Sequence, residues 1–227
     1  ISFISIYAPI MSQLHGKGDF REMSLLYKLV SRWLITFSIP ISLVFILYPV
    51  KVMLLFGPDY MDSASVLVLL TIATFVQTAL GAAGPVLGMS GYTRLVLWNS
   101  LGAFILNLIL NILFIPKFGI MGAAWATLIS MTALGLARII EVQLILKLSF
   151  FSSRLYKPLL AGLVTLCCIL SIRSFVMDYH TIATLSIVFL FSILIYGFVL
   201  WLLKLEPEDK DFWSGLIILR GEKGKIY

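Results

Sequence analysis

The 227 residues are 60% hydrophobic and 12% charged, with a mean hydropathy of +1.04, whereas a soluble domain carries roughly 45–50% apolar and about 25% charged residues. Water cannot solvate that much apolar surface, which excludes an ordinary soluble enzyme or binding module and requires a lipid solvent. The net charge of +6 raises nucleic acid as a partner, a reading that stands or falls on where the charges lie.

The opening stretch at 1–14, ISFISIYAPIMSQL, is apolar but shorter than the roughly 20 residues that span a bilayer. It has no basic n-region and no small-residue cleavage site, so it is a poor signal peptide. It is expected to be the end of a spanning helix whose start lies upstream. Residues 15–32 form a cytoplasmic amphipathic segment in which Asp19 and Glu22 resemble a capping box. Phe20, Met23, Leu26, Tyr27 and Val30 make one apolar stripe there, with Arg21, Lys28 and Arg32 elsewhere.

Six long apolar runs follow: Trp33–Val50, Ser63–Leu87, Leu95–Ile115, Gly119–Leu146, Pro158–Phe175 and Thr181–Leu203. Each suits a spanning helix of about 17–25 residues, and short Gly/Pro-marked links make successive helices antiparallel neighbours. No strand-like alternation recurs, which counts against a transmembrane barrel. The fold class expected is therefore all-α, a polytopic membrane helix bundle of six full spans plus the end of a truncated one. Residues 33–146 hold four spans, 147–204 two further spans with their loops, and 205–227 a cytoplasmic interfacial tail. In that tail Phe212, Trp213, Leu216 and Ile217 recur at helical spacing, read either as an amphipathic helix on the leaflet or as a disordered end.

With the 15–32 segment in the cytoplasm, strict alternation leaves Lys51, Lys117 and Arg173 outside and the other 14 of the 17 Lys and Arg inside. Positive charge accumulates on the cytoplasmic side of membrane proteins, so the excess of cations is a topology signal and nucleic acid is excluded. Cys167 and Cys168 are adjacent inside an apolar run and suggest neither a disulfide nor a metal site. His15 and His180 fall in expected loops without ligand partners. No phosphate-binding glycine loop, HExxH or G-x-S-x-G occurs; no catalytic residue, cofactor or metal is expected, and an enzyme is not indicated.

Polar groups inside the spans carry more information, because hydrocarbon offers them no partner. Gln77 lies near the middle of the second run between Thr74 and Thr78. Asn107 and Asn111 share a helix face in the third run. The three are transport-cavity candidates, able to meet sugar hydroxyls or phosphate in a hydrated space; as interhelical glue they would be packing residues instead. Arg138 and Glu141, at i and i+3, are the only opposite charges within one run. They are candidates for gating or coupling, or a local ion pair in the headgroup zone. Pro40, between Ser38 and Ser42, removes a helical hydrogen bond and is a hinge candidate or a static kink. Gly84 and Gly88 form a G-x-x-x-G, and Gly122, Ala126 and Ser130 a second small-residue ridge, both read as packing.

Several short motifs recur in family order. Ala8-Pro9 with Ser12 and Leu14, then Gly18-Asp19, Pro40, Leu55-Phe56-Gly57 with Tyr60, Asn99, Asn107, Asn111, Ile115-Pro116, Phe118-Gly119, Gly122-Ala123-Ala124, Ala126-Thr127 and Ser130 resemble the polysaccharide (oligosaccharide) flippase family. That family belongs to the MATE-like multidrug/oligosaccharidyl-lipid/polysaccharide exporter superfamily. The resemblance runs from Ile1 to about Ser130 and holds only in kind beyond. It implies a fourteen-helix fold of two six-helix lobes and two further helices, of which this chain is the C-terminal half. It implies a transporter moving a polyprenyl-diphosphate-linked oligosaccharide from the inner to the outer leaflet by alternating access. The implied location is the plasma (inner) membrane of a prokaryote, with the C-terminus cytoplasmic. Implied partners are the lipid-linked glycan, membrane lipid, the N-terminal lobe of the same chain and glycan-assembly enzymes. A drug/cation antiporter of the same superfamily and a membrane glycosyltransferase or ligase acting on the same lipid are the alternatives. The first would call for a cavity acid, and the second for catalytic acids or arginines in a sizeable outer loop.

Overall fold

A computed structural model describes residues 3–150, 153–176 and 180–203. The tail at 205–227, including its expected amphipathic helix, lies outside the described residues, as does the side chain of Arg173. Among the described residues there is no strand. Nine α-helices follow in order: α1 Phe3–Lys17, α2 Phe20–Leu47, α3 Pro49–Leu54, α4 Ala64–Leu80, α5 Ala83–Met89, α6 Thr93–Phe118, α7 Ile120–Ile145, α8 Tyr156–Val176 and α9 Thr181–Leu202, with 3-10 turns at Pro58–Ser63 and Ser153–Leu155.

Helix α1 stops where Gly18 takes φ +70. The Gly18 N–H donates to the His15 carbonyl and the Asp19 N–H to the Leu14 carbonyl, both at 3.0 Å, which closes the helix end through a left-handed residue that glycine adopts without a Cβ clash. Asp19 then opens α2, its Oδ1 accepting from the Glu22 N–H at 3.1 Å. The backbone N–H of Asp19 is committed to Leu14, so the Asp19–Glu22 pair works as a one-way N-cap.

Helix α2 runs unbroken for 28 residues, about 42 Å at 1.5 Å per residue, through the junction expected at residue 32. Its amphipathic stripe serves the protein interior: Met23, Tyr27 and Val30 are buried in a core shared with Tyr7, Met11, Val86, Leu87, Val142, Leu148 and Phe150, whereas Phe20 stays exposed. The same helix passes through Pro40, which is buried and accepts a hydrogen bond from Ser192 Oγ of α9 at 3.3 Å.

The second apolar run breaks in two. Pro85 has no N–H for the Gly81 carbonyl and its ring crowds that carbonyl, so α4 ends at Leu80 and α5 restarts at Ala83. The Gly81 N–H donates to the Thr78 carbonyl at 3.1 Å, a tightened last turn that closes the end of α4. Gly91, at φ +89, ends α5 as Gly18 ends α1, with the Tyr92 N–H donating to the Leu87 carbonyl at 3.0 Å. Helix α6 absorbs the expected Pro116–Phe118 link, leaving Gly119 alone to turn into α7.

Helix α7 packs against both α6 and α4; α4 packs on α2, and α2 on α8 and α9, while α1 and α5 pair at one end of the bundle. A second small core joins Val44 and Tyr48 to Ile169 of α8 and Val188 of α9. Five of the described segments, Phe20–Leu47, Pro58–Leu80, Thr93–Phe118, Ile120–Ile145 and Thr181–Leu202, are long and apolar enough to cross a membrane. The run expected at 158–175 forms α8, helical over 21 residues with its apolar stretch at Tyr156–Ile172. Helix α6 buries none of its residues and presents Trp98, Phe104, Ile112 and their neighbours outward, as a helix apolar on every side does in lipid. The chain is an all-α, multi-pass membrane helix bundle.

Candidate functional site

The polar residues of the spans sort into two places. One is the α6–α7 hairpin. Its backbones touch because Gly122 lies directly against the Phe114 carbonyl, where no side chain would fit. Ala126 and Ser130 continue that buried ridge. Across it Asn107 Nδ2 donates to Ser130 Oγ at 3.0 Å. Asn111 Nδ2 donates to both Oδ1 and the carbonyl of Asn107 at 2.9 Å, and Ser130 Oγ donates to the Thr127 carbonyl at 3.1 Å. The two amides are half-buried and engaged with each other and with α7.

The other place is a cavity of about 360 Å³ beside the α4–α5 break. Gln77 and Thr78 of α4, Pro85 of α5, Tyr7 of α1 and Arg138 of α7 line it, with Val30, Leu34, Leu80, Met131, Leu134 and Gly135 supplying its apolar wall. Neither Asn107 nor Asn111 reaches it. Gln77 is exposed there. A second, more apolar groove of about 370 Å³ runs between α2 and α4 past Trp33, Phe37, Ile41 and Phe75. Leu34 and Thr78 belong to both, so the two spaces adjoin.

Arg138 and Glu141 both reach α6. Glu141 Oε2 accepts a hydrogen bond from Asn99 Nδ2. Arg138 Nη2 donates to Ser100 Oγ, the next residue of α6, at 3.1 Å, with Glu141 acting on its charge, and its guanidinium lies over Gly84, where a Cβ would come within 3.1 Å of Nη1. Its Nε is buried with no hydrogen-bond partner, and so is the hydroxyl of Tyr7. Among the described residues no carboxylate lines the cavity. Its lining thus brings a guanidinium, a group suited to an oxyanion, together with an amide suited to hydroxyl groups.

Sequence reasoning placed Gln77 and Arg138 among the candidates but did not join them, because they are 61 positions apart on helices whose contact hydropathy does not reveal. It missed Tyr7, Ser100 and the role of Gly84. The sequence marks Gly84 through its G-x-x-x-G with Gly88 and through Pro85 beside it, and neither points to Arg138. Pro40 lies away from the cavity, at the α2–α9 contact. Among the described residues no group of three His, Cys, Asp or Glu is placed to hold a metal ion.

No family model matches the chain. It is similar to an uncharacterized membrane protein of Methanocaldococcus jannaschii, 26% identical over 176 residues, which are 76% of this chain and 34% of the relative. Its fold is similar to that of the lipid II flippase MurJ in an inward closed conformation, with a TM-score of 0.71 and 18% identity, over 96% of this chain and 44% of the flippase. The chain therefore spans about a third of the length of that relative and less than half of the solved flippase. At this identity the likeness is one of fold, and it extends to the arrangement of α8 and α9 as well as the preceding helices.

Proposed function

We propose that this chain forms the second lobe of a transporter that moves a polyprenyl-diphosphate-linked oligosaccharide from the inner to the outer leaflet by alternating access. The fold shared with a lipid II flippase supports the reading, as do the motifs spread from Ile1 to Ser130. The observation that carries it is Arg138. A guanidinium within a spanning helix is costly and marks function by default; this one lines a cavity that carries no carboxylate of its own, with Glu141 acting on its charge from outside the cavity lining. A diphosphate adds a second anionic partner and can accept paired N–H bonds from a guanidinium. Gln77 stands on the same wall to meet sugar hydroxyls. Asn107 and Asn111 clamp the α6–α7 hairpin that carries Arg138.

In this reading a preceding lobe completes the central cavity, membrane lipid surrounds the bundle, and glycan-assembly enzymes supply the substrate. The distribution of Lys and Arg supports a cytoplasmic C-terminus in a prokaryotic plasma membrane. The drug/cation antiporter is less favoured, because Glu141, the acid nearest the cavity, is turned to Asn99.

The test uses full-length protein in liposomes, following loss of a fluorescent polyprenyl-diphosphate oligosaccharide from attack by an external glycosidase. Arg138→Gln lowers the rate by at least about tenfold, the scale of one charge-assisted hydrogen bond worth roughly 1.5–3 kcal/mol, and Arg138→Lys restores part of it. Wild-type rates for Arg138→Gln at equal protein levels contradict the proposal.

A further inference from the structure

We propose that Gly84 and Ser100 are positioning residues for Arg138, and that its guanidinium is a strap across the α4–α5 joint which an incoming oxyanion releases. The inference rests on the cavity reading above and adds to it how occupancy moves the protein.

The joint is weak by construction. Pro85 deprives the Gly81 carbonyl of its helical partner, and the Gly81 N–H turns back to the Thr78 carbonyl of α4 at 3.1 Å. Helix α7 braces it on both sides. Before the break, Gly135 lies so close to Leu80 that a Cβ would fall 2.6 Å from Leu80 Cδ1. After it, the Arg138 guanidinium covers Gly84. The side chain is tied at its far end to α6 through Ser100 Oγ, which in turn donates to the Val96 carbonyl at 2.8 Å. One side chain thus links α5, α6 and α7 at the break. Gly84 leaves the space it fills, and Ser100 fixes its direction.

The strap lines the cavity and is incompletely satisfied. Arg138 Nε and the Tyr7 hydroxyl are both buried without partners, and unmet donors of this kind are costly. An oxyanion in the cavity that draws the guanidinium into the paired geometry it favours competes with the contacts to Ser100 and Gly84. Its better fit to the released arrangement shifts the population toward that arrangement. Freed of its brace, α5 turns at residues 81–82, and α1, which packs on α5, moves with it. The hydrogen-bonded Asn107–Ser130 hairpin stays fixed and serves as the frame against which the joint moves.

The experiment is double electron–electron resonance on the full-length protein in nanodiscs, with Cys167→Ala and Cys168→Ala and spin labels at Met89→Cys on α5 and Gln143→Cys on α7, both exposed positions. Inorganic diphosphate is the probe. It shifts the distance distribution in the otherwise wild-type protein, whereas Arg138→Gln, which removes the strap, gives the shifted distribution without diphosphate and does not respond to it. Ser100→Ala gives part of that shift without diphosphate, Gly84→Ala, whose Cβ crowds Arg138 Nη1, gives a smaller part, and Ser100→Thr keeps the starting one. A distribution that ignores diphosphate, or a Ser100→Ala distribution equal to the wild type, overturns the strap. Transport measured on the same samples separates the two claims. A joint that moves in a protein that moves no lipid-linked glycan supports the strap and sinks the flippase reading. Transport with a motionless joint does the reverse.

Discussion

The α6–α7 hairpin and the α4–α5 joint are built from the same kinds of residue and use them in opposite ways. In the hairpin, Asn107, Asn111 and Ser130 satisfy one another across a glycine-lined contact. At the joint, a proline breaks the helix and Arg138 and Tyr7 keep donors without acceptors. Lipid punishes unsatisfied polar groups, so the hairpin is what a membrane helix pair becomes when its amides serve packing. On the proposed reading, the joint is what remains when polar groups are kept for something that comes and goes. A polar residue in a span is thus a functional signal only when its partners are missing, which residue type alone does not disclose.

The contrast can be broken in graded steps. The largest effect belongs to the joint, where Arg138→Gln costs transport about a factor of ten or more through one charge-assisted bond and leaves the melting temperature of the detergent-solubilised protein near wild type. Next comes Gly122→Val in the hairpin, which forces a branched side chain into the Phe114 carbonyl. Overpacking of this kind costs about 1–3 kcal/mol, read as a lowered melting temperature with transport per folded molecule preserved. The smallest is Asn107→Leu, which gives up an interhelical bond worth on average about 0.6 kcal/mol and changes melting only slightly. A transport defect in Asn107→Leu as deep as that of Arg138→Gln, at equal folded protein, would erase the distinction between the two regions.

Much of the bundle was legible in the sequence because the bilayer imposes one length scale on every span. Asp19 announced the start of α2, and the paired amides of α6 were visible as polar residues in an apolar run. What hydropathy could not supply was facing. In a soluble helix the apolar stripe marks the inner side, but lipid and protein interior are both apolar, so the periodicity of α6 and α7 carries little direction. Arg138 and Glu141, three residues apart, therefore read equally as a gating or coupling pair or as a local ion pair, and nothing in hydropathy indicates that they bond the adjacent Ser100 and Asn99 of α6. The Phe20–Val30 stripe was read correctly as apolar but assigned to the membrane surface, whereas α1, α5 and residues 146–150 cover Met23, Tyr27 and Val30. The break at Gly81–Ala82 was foreshadowed by Pro85 and lost within a run apolar enough to look continuous.

The most direct test of the contrast is chemical access to the side chains by water. In the full-length protein with Cys167→Ala and Cys168→Ala, cysteines introduced by Gln77→Cys, Arg138→Cys and Asn107→Cys are exposed in turn to a small charged thiol reagent in native membranes. The account predicts modification at 77 and 138, slowed by inorganic diphosphate at 77 where Arg138 is intact, and protection at 107. Modification at 107 with none at 138 would contradict it.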